Sequence, residues 1–81
     1  MEVKRILLTG SNGLLGQKIV QLIMEEYAGR YQLLATSKGN NRIEKIKGFD
    51  FRSLDISDRI AVAEVFDSFK PHYLINTAAM T

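Results

Sequence analysis

The eight residues TGSNGLLG, Thr9 to Gly16, follow directly on the apolar run Ile6-Leu7-Leu8 and place glycines at Gly10, Gly13 and Gly16. Glycine is among the poorest helix formers, about 1 kcal/mol worse than alanine, yet a helical pattern begins inside this stretch. Leu15, Ile19, Leu22 and Ile23 fall at i, i+4, i+7 and i+8, the core stripe of a helix running to near Tyr27 with Gly29 as its stop. Ahead of the glycines, Val3 to Thr9 reads as a short buried strand. A helix N-terminus exposes unpaired N–H groups and carries roughly half a positive charge, so it attracts phosphate. In that frame Gly10 allows the tight turn out of the strand. Gly13 lets a pyrophosphate reach the backbone without meeting a Cβ, and Gly16 lets the helix lie close against a sheet. A phosphate or close packing must offset what the glycines cost the helix.

The rest of the chain repeats the alternation. Tyr31 to Thr36 (YQLLAT) reads as a second strand, and SKGNNR as a loop rich in turn formers. Ile43 to Lys47 is expected to form one helical turn, and Phe49 to Leu54 a third strand. Ser57 and Asp58 supply an N-cap and an acidic first turn for a second helix. Val62, Val65, Phe66 and Phe69 mark that helix's apolar stripe, Pro71 its end, and Tyr73 to Asn76 (YLIN) a fourth strand. Strands alternating with helices imply a parallel sheet with right-handed crossovers. The expected fold is α/β: the N-terminal part of a doubly wound, three-layer αβα Rossmann fold with strand order 3-2-1-4. The reversal between strands 1 and 4 opens a crevice at their carboxyl ends, where the glycine-rich turn sits.

Eighty-one residues allow one domain at most. Eleven basic and nine acidic residues are interleaved along the chain, a net charge of +2 that leaves no electrostatic footprint for nucleic acid or a membrane surface. The absence of cysteine excludes disulfides and thiolate metal sites, and His72 alone cannot build a metal cluster. No apolar run approaches the ~20 residues of a membrane span, and the run after the N-terminus is too short for a signal peptide's core. A cytoplasmic location is expected.

The mononucleotide P-loop fits poorly, because Gln17 and Lys18 follow Gly16 in place of Lys and Ser/Thr. A strand before the turn and a helix after it favour a dinucleotide. In NAD-binding turns an acid about 20 residues past the first glycines holds the ribose 2′-hydroxyl. Here the corresponding residues are Thr36, Ser37 and Lys38, and the first acid is Glu44. Lys38, with Arg42 as second choice, suits a 2′-phosphate, so NADP is preferred over NAD. The competing reading is that Lys38, Arg42, Lys45 and Lys47 solvate a surface loop.

TGSNGLLG, LDISD and NTAAMT stand in the order and spacing of the extended short-chain dehydrogenase/reductases, whose fingerprint is TGxxGxxG. The chain resembles that family over essentially its whole length, and within it the dTDP-4-dehydrorhamnose reductase branch, through Asn76-Thr77-Ala78-Ala79-Met80-Thr81. Leu14 departs from the glutamine often seen in that branch. The resemblance implies backbone contacts from Gly13, Leu14 and Leu15 to the pyrophosphate, within a cofactor site that also takes in Gly10, Asn12, Gly16, Ser37 and Lys38. It implies that Asp55 accepts from the adenine amino group with Ile56 beside the ring, and that Ala78, Ala79 and Met80 line the cleft. For Asp55 the competing reading is an acid that belongs to the cap at Ser57.

The family's chemistry needs a Tyr-x-x-x-Lys pair, in which lysine lowers the tyrosine's pKa and tyrosine gives its proton to the substrate oxygen as hydride arrives. Four residues on from Tyr27, Tyr31 and Tyr73 stand Tyr31, Ala35 and Thr77, so the chain holds no such pair. The expectation is therefore the cofactor-binding piece of a longer NAD(P)-dependent reductase, inactive alone, whose parent acts on a nucleotide-sugar substrate, the 4-keto group of a dTDP-deoxysugar. Two alternatives come with the resemblance: a sugar-nucleotide epimerase or dehydratase, and a non-catalytic NADP-binding regulatory subunit like that of methionine adenosyltransferase. The fourth strand is expected to present an unpaired edge, giving a homodimer or looser self-association.

Overall fold

Leu7 and Leu8 are adjacent in sequence and both wholly buried, which requires apolar cover on both faces of the strand that holds them. The computed structural model describes residues 3–43 and 45–77 and shows how that cover is supplied. Strand β1 (Lys4–Thr9) is followed by helix α1 (Leu14–Glu26), β2 (Tyr31–Ser37), β3 (Asp50–Ser53), α2 (Arg59–Phe69) and β4 (Tyr73–Asn76). The four strands form one parallel sheet in the order β3-β2-β1-β4. Strand order and layers agree with the sequence reading.

The pleat divides the core in two. Ile6 and Leu8 of β1 with Leu33 and Ala35 of β2 meet Val20 and Ile23 of α1 on one face. Leu7 and Leu34 meet Leu54 and Val65 of α2, backed by Val62 and Phe69, on the other. In-register pairing of Ile6 with Leu33 and Leu7 with Leu34 keeps each apolar row on its own side.

Local chemistry sets the helix ends. Asp58, rather than Ser57, is the N-cap of α2: its carboxylate accepts from Ala61 N–H at 3.1 Å. The helix stops one residue before Pro71, at Lys70, which adopts a left-handed φ of 52° and donates its N–H to Phe66 O. Arg5 Nε then donates to Lys70 O at 2.9 Å, tying that helix end to β1.

Two further expectations fail. The stripe of α1 that faces the sheet is Gly16, Val20 and Ile23, with Ile19 packed beside it, while Leu15 and Leu22 remain 48% and 52% exposed. The close approach at Gly16 rotates the helix by about one residue relative to the face that leucine periodicity suggests. The helical turn at Ile43 to Lys47 is not formed among the described residues. Ile43 is buried and Ile46 packs on the same cluster, but they reach it from irregular chain. Asn41 Oδ1 caps Ile43 N–H before the segment, and Gly48 turns the chain at φ 99° after it.

Candidate functional site

The glycine-rich turn joins β1 to α1 at the carboxyl end of the sheet, and its three glycines answer to different constraints. Gly10 has φ 78°, a conformation that costs a residue with a Cβ about 1–2 kcal/mol. Its carbonyl accepts from Gly13 N–H at 3.1 Å, closing the turn. A Cβ on Gly16 would stand 2.7 Å from Ser11 Cα and nearer still to Gly10 O, so only glycine lets α1 lie this close to the turn. Gly13 is unlike both. Its φ of −72° suits any residue, and a Cβ there would meet nothing nearer than Gly10 O at 3.4 Å. The apo fold does not demand glycine at Gly13.

Gly13 is also the N-cap of α1, with no side-chain cap and no acid in the first turn. The N–H groups of Leu14, Leu15 and Gly16 therefore have no intrahelical acceptor, and the positive end of the helix is not neutralised locally. Leu14 is 80% exposed at that end. Beside it lies a cleft of about 260 Å³, walled by Gly10 and Gly13, by Ser37 and Lys38 after β2, and by Leu54, Asp55 and Ile56 after β3. The lining is mostly apolar with few polar groups, the chemistry that suits the flat ring and ribose of a nucleotide.

Asp55 is the most organised side chain of the cleft. Its Oδ1 accepts from Ser57 Oγ at 2.7 Å and Ser57 N at 2.9 Å, while Oδ2 stands 3.6 Å from Lys38 Nζ across the cleft mouth. The two bonds from Ser57 hold its carboxyl below the ordinary value of 3.8, and the Lys38 charge adds to the effect. Asp55 thus serves the turn into α2 through one oxygen and keeps the other toward the cleft.

Asn12 plays a part that the sequence did not disclose. Its amide nitrogen donates to Asn40 O at 2.8 Å and to Lys38 O at 3.4 Å, and its Oδ1 accepts from Arg42 N at 2.9 Å. Gln17 Nε2 donates to Asn12 O, fastening the turn to α1. A second missed group sits at the floor: Thr77 Oγ1 and N both donate to Thr9 O, and Thr9 Oγ1 donates to Asn76 Oδ1. Nothing in residue type or spacing distinguishes those hydroxyls beforehand. Ser11, wholly buried under the turn, has a hydroxyl with no hydrogen-bond partner. Gly10, Gly13, Ser37, Lys38, Asp55 and Ile56 thus line one cleft, with Leu14, Leu15 and Gly16 on the adjoining helix turn; Ala78, Ala79 and Met80 lie outside the described residues. Among the described residues there is no helix long and apolar enough to cross a membrane, and no acidic or histidine cluster able to hold a metal.

Known proteins are similar to this chain in sequence, and others in fold. The chain is 38% identical over 77 residues to the dTDP-4-dehydrorhamnose reductase of Aggregatibacter actinomycetemcomitans, a match covering 95% of the chain and 21% of that protein. It is 34% identical over 86 residues to a probable dTDP-glucose 4,6-dehydratase of Sinorhizobium fredii, covering 93% of the chain and 23% of that protein. Among solved structures, Bordetella bronchiseptica WbmG in complex with NAD and UDP superposes with a TM-score of 0.78 at 24% identity, over 96% of the chain and 26% of that protein. The L-threonine dehydrogenase of Clostridium difficile superposes with a TM-score of 0.73 at 22% identity, over 94% and 24%. These last two establish the fold. The chain thus spans about a fifth to a quarter of the length of the proteins it matches. Residues 6–81 match the NAD dependent epimerase/dehydratase family, and the chain, glycine-rich turn included, belongs to that family.

Proposed function

We propose that the chain is the dinucleotide-binding part of an NAD(P)-dependent dTDP-4-dehydrorhamnose reductase, whose whole reduces the 4-keto group of a dTDP-deoxysugar in dTDP-rhamnose synthesis. The observation that carries the dinucleotide part is Gly13: a glycine at an uncapped helix N-terminus, beside a cleft, where the fold itself has no need of one. The sugar-nucleotide part rests on the Aggregatibacter relative. The Sinorhizobium relative supports a second reading, a dTDP-sugar dehydratase that keeps its cofactor bound.

In this reading the nicotinamide supplies the hydride, and the residues of this chain bind and orient. The first-turn N–H groups of Leu14 and Leu15 receive the pyrophosphate, which lies against the Gly13 backbone. Asp55 takes the adenine amino group on the oxygen that Lys38 otherwise holds, with Ile56 along the ring. Lys38, released from Asp55, turns to the ribose 2′-phosphate, so neither charge is left without a partner.

Fluorescence titration of the full-length protein with NADPH and NADH tests the cofactor assignment. NADPH should bind at least as tightly, and a preference of roughly tenfold for NADH would overturn the role given to Lys38. Supplying dTDP-4-dehydro-6-deoxysugar with NADPH, and separately dTDP-glucose with catalytic NAD, distinguishes the reductase from the dehydratase.

A further inference from the structure

Asn12 stands in the turn that approaches the proposed pyrophosphate site, yet its side chain is spent on the loop after β2. Each of its amide atoms meets a backbone group of the opposite kind: the nitrogen faces the carbonyls of Lys38 and Asn40, the oxygen faces the N–H of Arg42. Those partners fix which way the amide is turned, because an oxygen toward two carbonyls would be repelled. They also make the residue hard to replace. Aspartate keeps an acceptor for Arg42 and loses both donors, and serine is too short to span the loop.

The loop so held carries Lys38 and Arg42, the cations nearest the end of β2. Lys38 has a side chain 78% exposed, bound only loosely to Asp55 at 3.6 Å. Gly39, at φ 80°, lets the backbone fold back between them. Ile43, buried immediately beyond, anchors the far end. Among the described residues, the hydrogen bonds from the backbone of Lys38 to Arg42 to the rest of the fold are those made with Asn12.

We infer that Asn12 is a positioning residue for cofactor selection: it docks the Lys38–Arg42 loop on the glycine-rich turn, fixing the distance between the pyrophosphate-binding helix end and the cations that read the ribose 2′ position. The inference rests on the dinucleotide reading given above. A ligand bridging turn and loop gains from both only when their separation is set beforehand.

The test combines two readouts on Asn12→Ala and Asn12→Asp in the full-length protein. Hydrogen exchange at the Arg42 amide needs no ligand. It should accelerate about tenfold in Asn12→Ala and less in Asn12→Asp, which keeps the acceptor. Titration with NADPH and NADH should show the NADPH:NADH affinity ratio falling by about fivefold in both variants, the size expected from one or two lost hydrogen bonds. A residue that merely holds the turn together would weaken both nucleotides equally and leave the ratio unchanged, which would overturn the inference. An unchanged exchange rate at Arg42 in Asn12→Ala would overturn it too. Failure of the wild-type protein to bind either nucleotide would instead overturn the dinucleotide reading and the selectivity role with it, while the exchange rates still decide whether Asn12 docks the loop.

Discussion

Replacing Gly16 and Gly13 in turn by alanine should separate folding from binding. At Gly16 the new Cβ lies 2.7 Å from Ser11 Cα, far inside the ~3.5–4.0 Å of a relaxed carbon–carbon contact, and closer yet to Gly10 O. Both obstacles are backbone, so α1 must lift from the turn. Overpacking costs about 1–3 kcal/mol, and backbone obstacles argue for the upper end. Alanine returns about 1 kcal/mol of helix propensity. The net is a loss of about 2 kcal/mol, a substantial fraction of the ~5–15 kcal/mol that holds a domain together. At Gly13 the Cβ sits at an ordinary 3.4 Å from Gly10 O and the backbone is relaxed, so stability should fall by less than about 1 kcal/mol, the cost of a poorer N-cap. On the proposed reading that Cβ stands where the phosphate approaches, and NADPH affinity should drop at least about tenfold. Urea unfolding of both variants, read as a midpoint shift at constant slope, gives the first quantity and fluorescence titration the second. Gly16→Ala unfolding at the wild-type midpoint would refute the packing argument. Gly13→Ala binding within roughly threefold of wild type would mean that the position serves no ligand.

Asp55 is held below its ordinary 3.8 by Ser57 first and Lys38 second, so its stabilising contribution is complete above that value and is lost as pH falls through the lower one in the fold. Asp55→Asn should flatten the acid limb of the thermal midpoint, and an unchanged slope below pH 3.8 would count against it. Lys70→Gly relieves a left-handed φ at the end of α2 and should stabilise by about 0.5–1 kcal/mol in urea unfolding; a destabilised variant would show that the lysine side chain matters more than its backbone. Tyr73 and Leu74 are 52% and 51% exposed on β4, the sheet's edge among the described residues, so the chain alone should self-associate in sedimentation and Leu74→Lys should reverse it. A wild-type monomer would remove that expectation.

The sheet order and the ends of β4 could be read in advance because strands of a parallel sheet leave short, dense apolar runs, Ile6-Leu7-Leu8 and Tyr73-Leu74-Ile75 among them, although β1 is buried on both faces and β4 stays largely exposed among the described residues. The face of α1 could not. Leu15 and Leu22 fit the helical period as well as Val20 and Ile23 do, and the choice is made by a backbone contact at Gly16 to which a hydrophobicity pattern is blind. Ile43 and Ile46 misled for a related reason. Their spacing suits a helical turn, but in the fold they are two apolar anchors on irregular chain crossing over α1's side of the sheet. Within the site, the glycines and Lys38 announced themselves by type and position, whereas Asn12 acts on backbone atoms 26 to 30 residues away and leaves no trace in spacing.

β1 lies inside the sheet of the described residues but precedes its other three strands in the chain, and this sets an order of assembly. Its bonds to β2 join positions such as Leu8 and Thr36, 28 residues apart, and the Asn12–Arg42 bond closes over 30. Its bonds toward β4 join Arg5 to His72 and Thr9 to Thr77, separations of 67 and 68. Loop-closure entropy rises with separation, and contacts distant in sequence form late. By that measure the contacts from β1 to Ile43, turn and docked loop included, are favoured to form before those that bring in β4. β4 joins last of the four strands, so the glycine-rich turn and the loop docked on it are in place before that flank of β1 is covered.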